Sequence, residues 1–460
     1  PETYARRYRA LVLEEVKGDL IVGMVDPMDI FAYDELSRQV GQPISVAVIR
    51  ESDLMSVLDM AYRRTGDIVN FASELEGELS GDQFTLSYEA SEEDANTPVV
   101  RLLNSIMEDA VQVRASDVHI EPDETVLRIR QRVDGVLQEQ TIKETRIASA
   151  LVSRLKLMAA LDISEKRLPQ DGRFEINVKD KEIDVRLSTM PVQHGESVVM
   201  RLADHSGAAN SLNESGMPEA MLERFRFLIT RPNGLVLVTG PTGSGKTTTL
   251  YGALNELNSP EKKIITVEDP VEYQLERINQ VQVMPKIGLT FATVLRATLR
   301  QDPDILLLGE IRDRETAEIA LRASMTGHLV LSTLHTNDAN SSATRLLDIG
   351  VEGYLAASAV RGVIAQRLVR RVCDRCSRPA ALDDQQFAWL DAVVGEQRAH
   401  QLTFHSGAGC NHCNQTGFYG RLGVFELLEI TEELANALRR DDALEFAALA
   451  KQQPTYKPLV

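Results

Sequence analysis

Residues 235–250 read LVLVTGPTGSGKTTTL, an apolar run, a glycine-rich turn, then a lysine followed by threonines. The turn matches G-x-x-x-x-G-K-[ST] from Gly240 to Thr247 and lies between a strand and a helix. Glycines at these places let backbone N–H groups turn inward around phosphates, and the helix N-terminus adds positive potential. Lys246 is suited to neutralising β- and γ-phosphates, and Thr247 to ligating Mg2+. The candidate ATP-binding set is therefore Gly240, Pro241, Thr242, Gly243, Ser244, Gly245, Lys246, Thr247 and Thr248. A glycine-rich turn without a ligand is the plainer alternative, and it leaves Lys246 unexplained.

From about residue 218 strands and helices alternate: GLVLVTG, a helix from Lys246, KIITVED, a helix at 290–300, DILLLGE, a helix from Glu315, LVLSTLH and a helix from Ala339. Such alternation predicts a parallel sheet covered by helices on both faces. In PDILLLGEIRD (303–313) a glycine, Gly309, stands where a strand entering a nucleotide site usually presents an aspartate. Glu310 follows one place later, on an arm about one methylene longer, and Mg2+ is held directly or through its own waters. TVEDPVEY offers Glu268, Asp269 and Glu272 at the next strand end, and strand ends converge on the ligand crevice. One carboxylate would manage the metal while another orients or deprotonates the attacking water. His328 and His335 flank one strand and do not share a metal, and His335 is placed to sense the γ-phosphate. Arg296 and Arg300 share one helix face at i, i+4, a like-charge pair that calls for an anion opposite. Arg186 and Arg201 end strands of the preceding domain and are candidate arginine fingers.

The remaining chain divides by composition. Residues 1–66 read as a small α/β domain: strands ALVLEE and DLIVGMVDP, a helix in MDIFAYDELSRQV, the strand ISVAVIR, and a helix from Asp53 to Tyr62. Thr65 to Val100 holds nine acidic residues and no Lys or Arg, which predicts a solvated linker over 67–96, with an acidic docking tail as the alternative. Residues 97–205 read as an α+β domain. It opens with Thr97 as N-cap, Pro98 in the first turn and a stripe of Val99, Leu102, Leu103, Ile106, Met107 and Ala110. A hairpin turning at Asp134-Gly135, a helix near 146–161, a second hairpin in RFEINVKDKEIDVRLS and the strand ESVVMRL complete it. Residues 206–217 form a Gly/Ser/Asn linker before an ATPase domain over 218–372, and 426–460 is a C-terminal helical segment. Both chain ends fall mid-pattern, as expected of part of a longer protein.

Cys373, Cys376, Cys410 and Cys413 give C-x2-C-x33-C-x2-C, spacing that suits a structural Zn2+ site over a module at 373–425. The spacer is long, but lengthening a loop costs little extra. His405 and His412 are unnecessary substitutes, because four sulfurs leave no coordination position open. A net charge of −18 argues against a broad nucleic-acid footprint, and the basic QRLVRRVCDRC reads as solvated surface or a subunit contact. No window approaches the roughly 18 apolar residues of a membrane span, and the N-terminus lacks a signal-peptide core, so a cytoplasmic location is expected.

From about residue 97 to 428 these motifs together resemble the assembly ATPases of bacterial type II secretion systems and type IV pili. ASDVHIEP, RLPQDGRF and HGESVVMRL are similar to the family's second N-terminal domain. GPTGSGKTTTLY resembles its Walker A, TVEDPVEY its aspartate box, LRQDPDILLLGEIRD its atypical Walker B, TGHLVLSTLHTN its histidine box, and the cysteine pairs its zinc module. The resemblance implies a multidomain α/β chain: a RecA-like P-loop ATPase core, a preceding α+β (PAS-like) domain, a small N-terminal α/β domain and a tetracysteine zinc module. It also implies a homohexameric motor at the cytoplasmic side of the inner membrane, moving a platform membrane protein that adds pilin subunits. By the same resemblance Glu272 is the catalytic carboxylate, Glu310 the Walker B acid and His335 the phosphate sensor. Arg186 and Arg201 reach the nucleotide, while Arg296, Arg300 and Arg312 line subunit contacts or the site.

A zinc module favours assembly motors over related retraction motors, which lack it. Residues 4–64 are similar to the second half of the N-terminal domain of pilus-extension ATPases, including the mannose-sensitive haemagglutinin type. The arginine-leucine-glycine segments of the first half, which can bind cyclic di-GMP in that group, are absent from this chain. Cyclic di-GMP regulation is expected only through a further N-terminal part. Pilus assembly is the favoured branch and type II secretion the alternative. A nucleic-acid translocase and a nucleotide-gated adaptor without turnover are the rival classes.

Overall fold

The computed structural model describes residues 2–16, 19–51, 53, 54, 57, 58, 65–79, 97–178, 181–204 and 211–459. The chain forms two compact units, residues 1–206 with 371–420, and residues 207–370 with 421–460.

The first unit begins with a short helix, Glu2–Arg7, and a three-stranded sheet of β1 (Ala10–Val16), β2 (Asp19–Met24) and β3 (Ile44–Val48) in that spatial order. β1 and β2 are antiparallel; β2 and β3 are parallel and joined by the helix Ile30–Val40. Asp29 caps that helix by accepting from Ala32 N, and Gly41 ends it at φ 80°, a left-handed conformation that glycine adopts without steric cost. Val22, Met24, Ala32, Leu36 and Ile44 form the core. The helix expected from Asp53 to Tyr62 lies largely outside the described residues.

Thr65–Leu79 corrects the linker expectation. The segment is a helix, and Ile68, Ala72 and Leu75 are fully buried at helical spacing. They join the core beneath the helix Pro98–Gln112, while the acids sit on the far side, where Glu74 pairs with Arg101. Acidic composition concealed a three-residue apolar stripe, which is enough for one face of a four-turn helix. Residues 80–96, the rest of the expected linker, lie outside the described residues.

The sheet of this domain has the order β6-β5-β4-β9-β8-β7 and is antiparallel in every pair. Its strands are β4 (Ala115–Pro122), β5 (Leu127–Val133), β6 (Val136–Ile142), β7 (Gln170–Val178), β8 (Lys181–Val192) and β9 (Gly195–Asp204). Asp134 and Gly135 both have positive φ, as a two-residue hairpin turn requires. Val118, Ile120, Leu127, Ile129, Val185, Leu187, Val198 and Met200 face the helices Pro98–Gln112 and Ile147–Met158. Alternation sends their neighbours to the opposite face, where the register aligns Arg173, Arg186, Arg201, Asp117 and Arg132 in one row across five strands.

The second unit carries a seven-stranded sheet. Its strands in chain order are β10 (Gly234–Thr239), β11 (Ile264–Glu268), β12 (Asn279–Gln282), β13 (Ile305–Leu308), β14 (Leu329–Leu334) and β15 (Val360–Val372). After β16 (Ser377–Ala380) and β17 (Phe404–Gly407), which pair with each other, β18 (Phe418–Glu429) completes it. The spatial order is β12-β11-β13-β14-β10-β15-β18, and the pairs from β12 through β15 are parallel. β10, β11, β13 and β14 are buried along their whole length, the pattern of strands covered on both faces.

Two expected boundaries change. β18 places residues on both sides of the 425/426 division in the core sheet, so that division falls inside a strand. Within the expected 206–217 linker, Leu212 and Met217 are buried in the same core cluster as Leu222, Phe225 and Leu250, and Gly216 turns the chain at φ 79°. Residues 205–210 lie outside the described residues.

Leu75→Ala should lower the unfolding free energy by roughly 2–5 kcal/mol in a urea titration, the cost of a large-to-small change in a packed core. A solvated linker would give a change within about 0.5 kcal/mol.

Candidate functional site

β10 ends at Thr239, and the chain turns through Gly240–Gly245 into the helix Lys246–Leu257. Gly240, Gly243 and Gly245 have φ of 145°, 76° and 87°, which non-glycine residues rarely adopt. A Cβ on Gly240 would lie 2.4 Å from the Gln366 carbonyl oxygen and 2.6 Å from Ser244 Oγ, so this loop admits no side chain there. Lys246 Nζ donates to the carbonyls of Gly240 (2.8 Å) and Pro241 (3.0 Å), which curls the side chain over the loop. Burial draws the Lys246 pKa down, the Glu310 carboxylate opposes this, and the Arg367 guanidinium reinforces it. Thr247 is half-buried and Thr248 exposed at the start of the helix. A glycine-rich backbone turn, beside one ammonium and a helix N-terminus, fits the phosphates of ATP.

The parallel strands deliver the acids to the same sheet edge. Gly309 follows β13 and donates N–H to Val267 O of β11 at 2.8 Å. A Cβ there would sit 3.3 Å from that carbonyl oxygen and 3.4 Å from Glu268 Cα. The position usually given to an aspartate is thus crowded by neighbouring backbone, and the acid appears one residue on. Glu310 pairs with Arg312, lies 3.4 Å from His335 Nε2, and acts electrostatically on Lys246. Arg312 also approaches Asp269 at 3.9 Å, so it bridges the acids that end β11 and β13. His335, just past β14, is half-exposed. His328, before the same strand, instead bonds Ala323 O through Nδ1 at 2.9 Å.

Glu268 behaves differently from its neighbours. It is 4% exposed and accepts from Tyr251 OH, Thr266 Oγ1 and, at 3.3 Å, Gln280 Nε2. Burial raises its pKa; the three hydrogen bonds hold it back, and the Glu272 carboxylate adds to the rise. Tyr251 is raised by burial and then by Glu268, and it stacks edge-on against Tyr273 at 4.7 Å. Glu268 is thus a carboxyl locked in the wall behind the site, while the half-buried Glu272 lies on the following loop.

The arginines separate. Arg296 has its anion within the chain, Glu315, and Arg300 donates to Arg296 O at 2.9 Å. Arg186 and Arg201 belong to the first unit. Arg201 Nε lies 3.2 Å from Asp117 Oδ1, and Arg186 Nε lies 3.7 Å from Asp184, a fully buried carboxylate that also takes Arg173 Nε at 2.5 Å.

The four cysteine sulfurs lie within 4.8 Å of one another. Cys373–Cys410 and Cys376–Cys413 are 3.8 Å apart and Cys410–Cys413 3.7 Å. Tetrahedral zinc with Zn–S near 2.3 Å has S···S edges of about 3.8 Å, so this set can hold zinc, and no pair is close enough for a disulfide. Burial alone would raise Cys413, but N–H groups of Cys410 and Gly417 at 3.2 and 3.3 Å bring it down to about 7. His412 packs against Tyr419, 3.9 Å between ring centroids, rather than joining the sulfurs. Arg114 covers the Tyr419 ring at 4.0 Å, and Gly420 N donates to Asp134 at 2.9 Å, which ties the module to the β5–β6 hairpin.

The family described as type II/IV secretion system protein matches residues 92–457, and the MshEN domain matches residues 1–68. The chain belongs to the type II/IV secretion system protein family. It is 44% identical over 451 residues to the type II secretion system ATPase E of Vibrio cholerae, covering 96% of this chain and 88% of that one. It is also 44% identical over 439 residues to the type IV pilus assembly ATPase PilB of Myxococcus xanthus, covering 94% and 77%. Among solved structures, the pilus retraction motor PilT with bound ADP aligns at a TM-score of 0.52 and 26% identity, over 77% of this chain and 90% of that one. The Legionella pneumophila ATPase DotB aligns at 0.55 and 21%, over 78% and 88%, a likeness of fold alone. As a member of this secretion and pilus motor family the chain is an ATPase.

Two neighbours of the loop escaped the sequence reading. Gln366 and Arg367 lie on β15; Arg367 donates to Asn337 O at 2.6 Å and acts on Lys246. Their only sequence signal is a glutamine interrupting an apolar run in VIAQRL, inside a segment assigned to surface.

Glu268 makes stability depend on pH in a defined direction. Its raised pKa lets the folded chain keep a proton that the unfolded chain has released, so its contribution is complete below the ordinary 4.5 and declines as pH rises through the raised value. Glu268→Gln should therefore gain on the parent as pH climbs above 4.5, read as a growing difference in urea midpoint; parallel midpoints across that range would contradict it. Metal analysis of the purified protein should find about one zinc per chain, falling close to zero in Cys413→Ser. A metal-free parent would refute the zinc assignment.

Proposed function

We propose that the chain is one subunit of a homohexamer that works at the cytoplasmic side of the inner membrane and powers assembly of a type IV pilus. The observation that carries the reading is the meeting of Lys246, Glu310 and His335 beside a glycine-rich loop that leaves no room for a side chain at Gly240. Lys246 would leave its carbonyl partners for the phosphates, and Thr247 with Glu310 would hold Mg2+. Held there, the ion would supply charge neutralisation for the phosphates. Glu272, on the loop after β11, orients and deprotonates the attacking water, and His335 contacts the terminal phosphate and reports its loss. Cys373, Cys376, Cys410 and Cys413 would hold a structural zinc that stiffens the module following β15.

Arg186 and Arg201, which share a row with Arg173 on the first unit's sheet, would supply guanidinium groups to the phosphates. Their carboxylate partners, Asp184 and Asp117, keep them extended and oriented. In this reading ATP binding draws that unit toward the second and hydrolysis releases it. The moving lobes pull on the platform membrane protein of the assembly machine. No described helix is long and apolar enough to cross a membrane.

The MshEN match over 1–68 supports the pilus branch. The second reading, a type II secretion ATPase, is favoured by the 44% identity to the Vibrio cholerae protein over 96% of this chain. Restoring pili to a strain lacking its extension ATPase would support the first; restoring protein secretion alone would select the second. A hydrolysis rate stimulated by DNA would favour a nucleic-acid translocase instead.

Phosphate release by the oligomerised protein tests the enzyme roles. Lys246→Ala should lose nucleotide binding and turnover together, whereas Glu310→Ala should still bind ATP and lose turnover by about a hundredfold or more. Near-normal turnover in Glu310→Ala would remove that residue from the proposed metal site.

A further inference from the structure

We infer that Gln366 is a positioning residue for the phosphate loop, setting the direction of its backbone from the neighbouring strand. The inference rests on the reading of Gly240–Thr247 as the nucleotide loop. β15 lies beside β10 in parallel, and Gln366 lies just beyond the last paired residues, Thr239 and Ala365. Its side chain is 2% exposed. Nε2 donates to Ser244 O at 2.6 Å, and Oε1 accepts from Thr249 Oγ1 at 2.9 Å. One amide therefore holds the last part of the loop and the first turn of the helix at once. The amide orientation is decided by Ser244, because a reversed amide would set oxygen against a carbonyl.

This grip has a direct consequence for phosphate binding. The Ser244–Gly245 peptide is planar and trans, so its C=O and N–H point opposite ways. Drawing Ser244 C=O toward β15 turns the Gly245 N–H away from that strand, as a donor for an anion must be. Gln366 also accounts for two of the loop's glycines. Its backbone oxygen lies 2.4 Å from the Cβ position of Gly240, and its amide nitrogen 3.1 Å from that of Gly245. The loop is packed against this residue as well as bonded to it.

The full chain tests the assignment. Gln366→Met keeps the length and volume of the side chain but makes neither hydrogen bond. The expected result is a rise of about tenfold in the Kd for ADP by calorimetry and in the KM for ATP, equivalent to ~1.4 kcal/mol. Uniform loss of phosphate binding leaves kcat within about twofold. The unfolding midpoint without nucleotide should shift by less than about 3 °C, which separates loop positioning from general destabilisation. Wild-type Kd and KM in Gln366→Met overturn the inference. If that variant unfolds more than about 5 °C early, Thr249→Val decides. A KM rise of about threefold at constant kcat upholds the inference, and an unchanged KM overturns it. Lys246→Ala serves as the separate control: wild-type ADP affinity there would defeat the nucleotide-loop reading itself, whatever Gln366 does.

Discussion

A strand buried on both faces has no room for an ionised side chain, because desolvating an unpaired charge there costs several kcal/mol. Four adjacent strands of the second unit are buried throughout, so their polar chemistry collects where they end. β10 opens into the phosphate loop, β11 ends in Glu268, β13 runs on to Gly309 and Glu310, and β14 to His335. Parallel pairing aligns these ends at one edge. The site is a consequence of the sheet's inability to hold charge anywhere else.

The same crowding sorts the acids. Gly309 lies against the β11 backbone, and the first acid with space for its side chain is Glu310, on an arm that reaches Arg312 and His335. Glu268 fills the space behind and is held by Tyr251, Thr266 and Gln280, with its pKa pushed up by burial. Glu268 and Glu310 therefore have different roles despite both lying at strand ends. One carboxyl stiffens the wall, and the other remains within electrostatic reach of Lys246.

Much of this was legible in the chain. The phosphate loop, the parallel alternation and the paired cysteines are short-range patterns, each written within a few residues or in two repeated pairs. Thr65–Leu79 was not legible, because its acids outnumber the three residues that bury it. The 425/426 division also failed, since β18 is assigned to the core by its neighbours rather than by its own pattern. Arg296 called for an opposing anion, and the fold supplied Glu315 nineteen positions away.

By itself the sequence determined the glycine-rich strand–loop–helix suited to phosphate, the four thiols suited to zinc and the order of alternating elements. Local backbone geometry and side-chain periodicity act over distances that a reader of the chain can see. Only the tertiary structure decided that Gln366, 122 positions from Ser244, orients the loop, and that Arg367 and Arg312 complete its electrostatics. Those contacts arise from strands that are neighbours in the sheet and distant along the chain, and pairing energy leaves no mark on either segment alone.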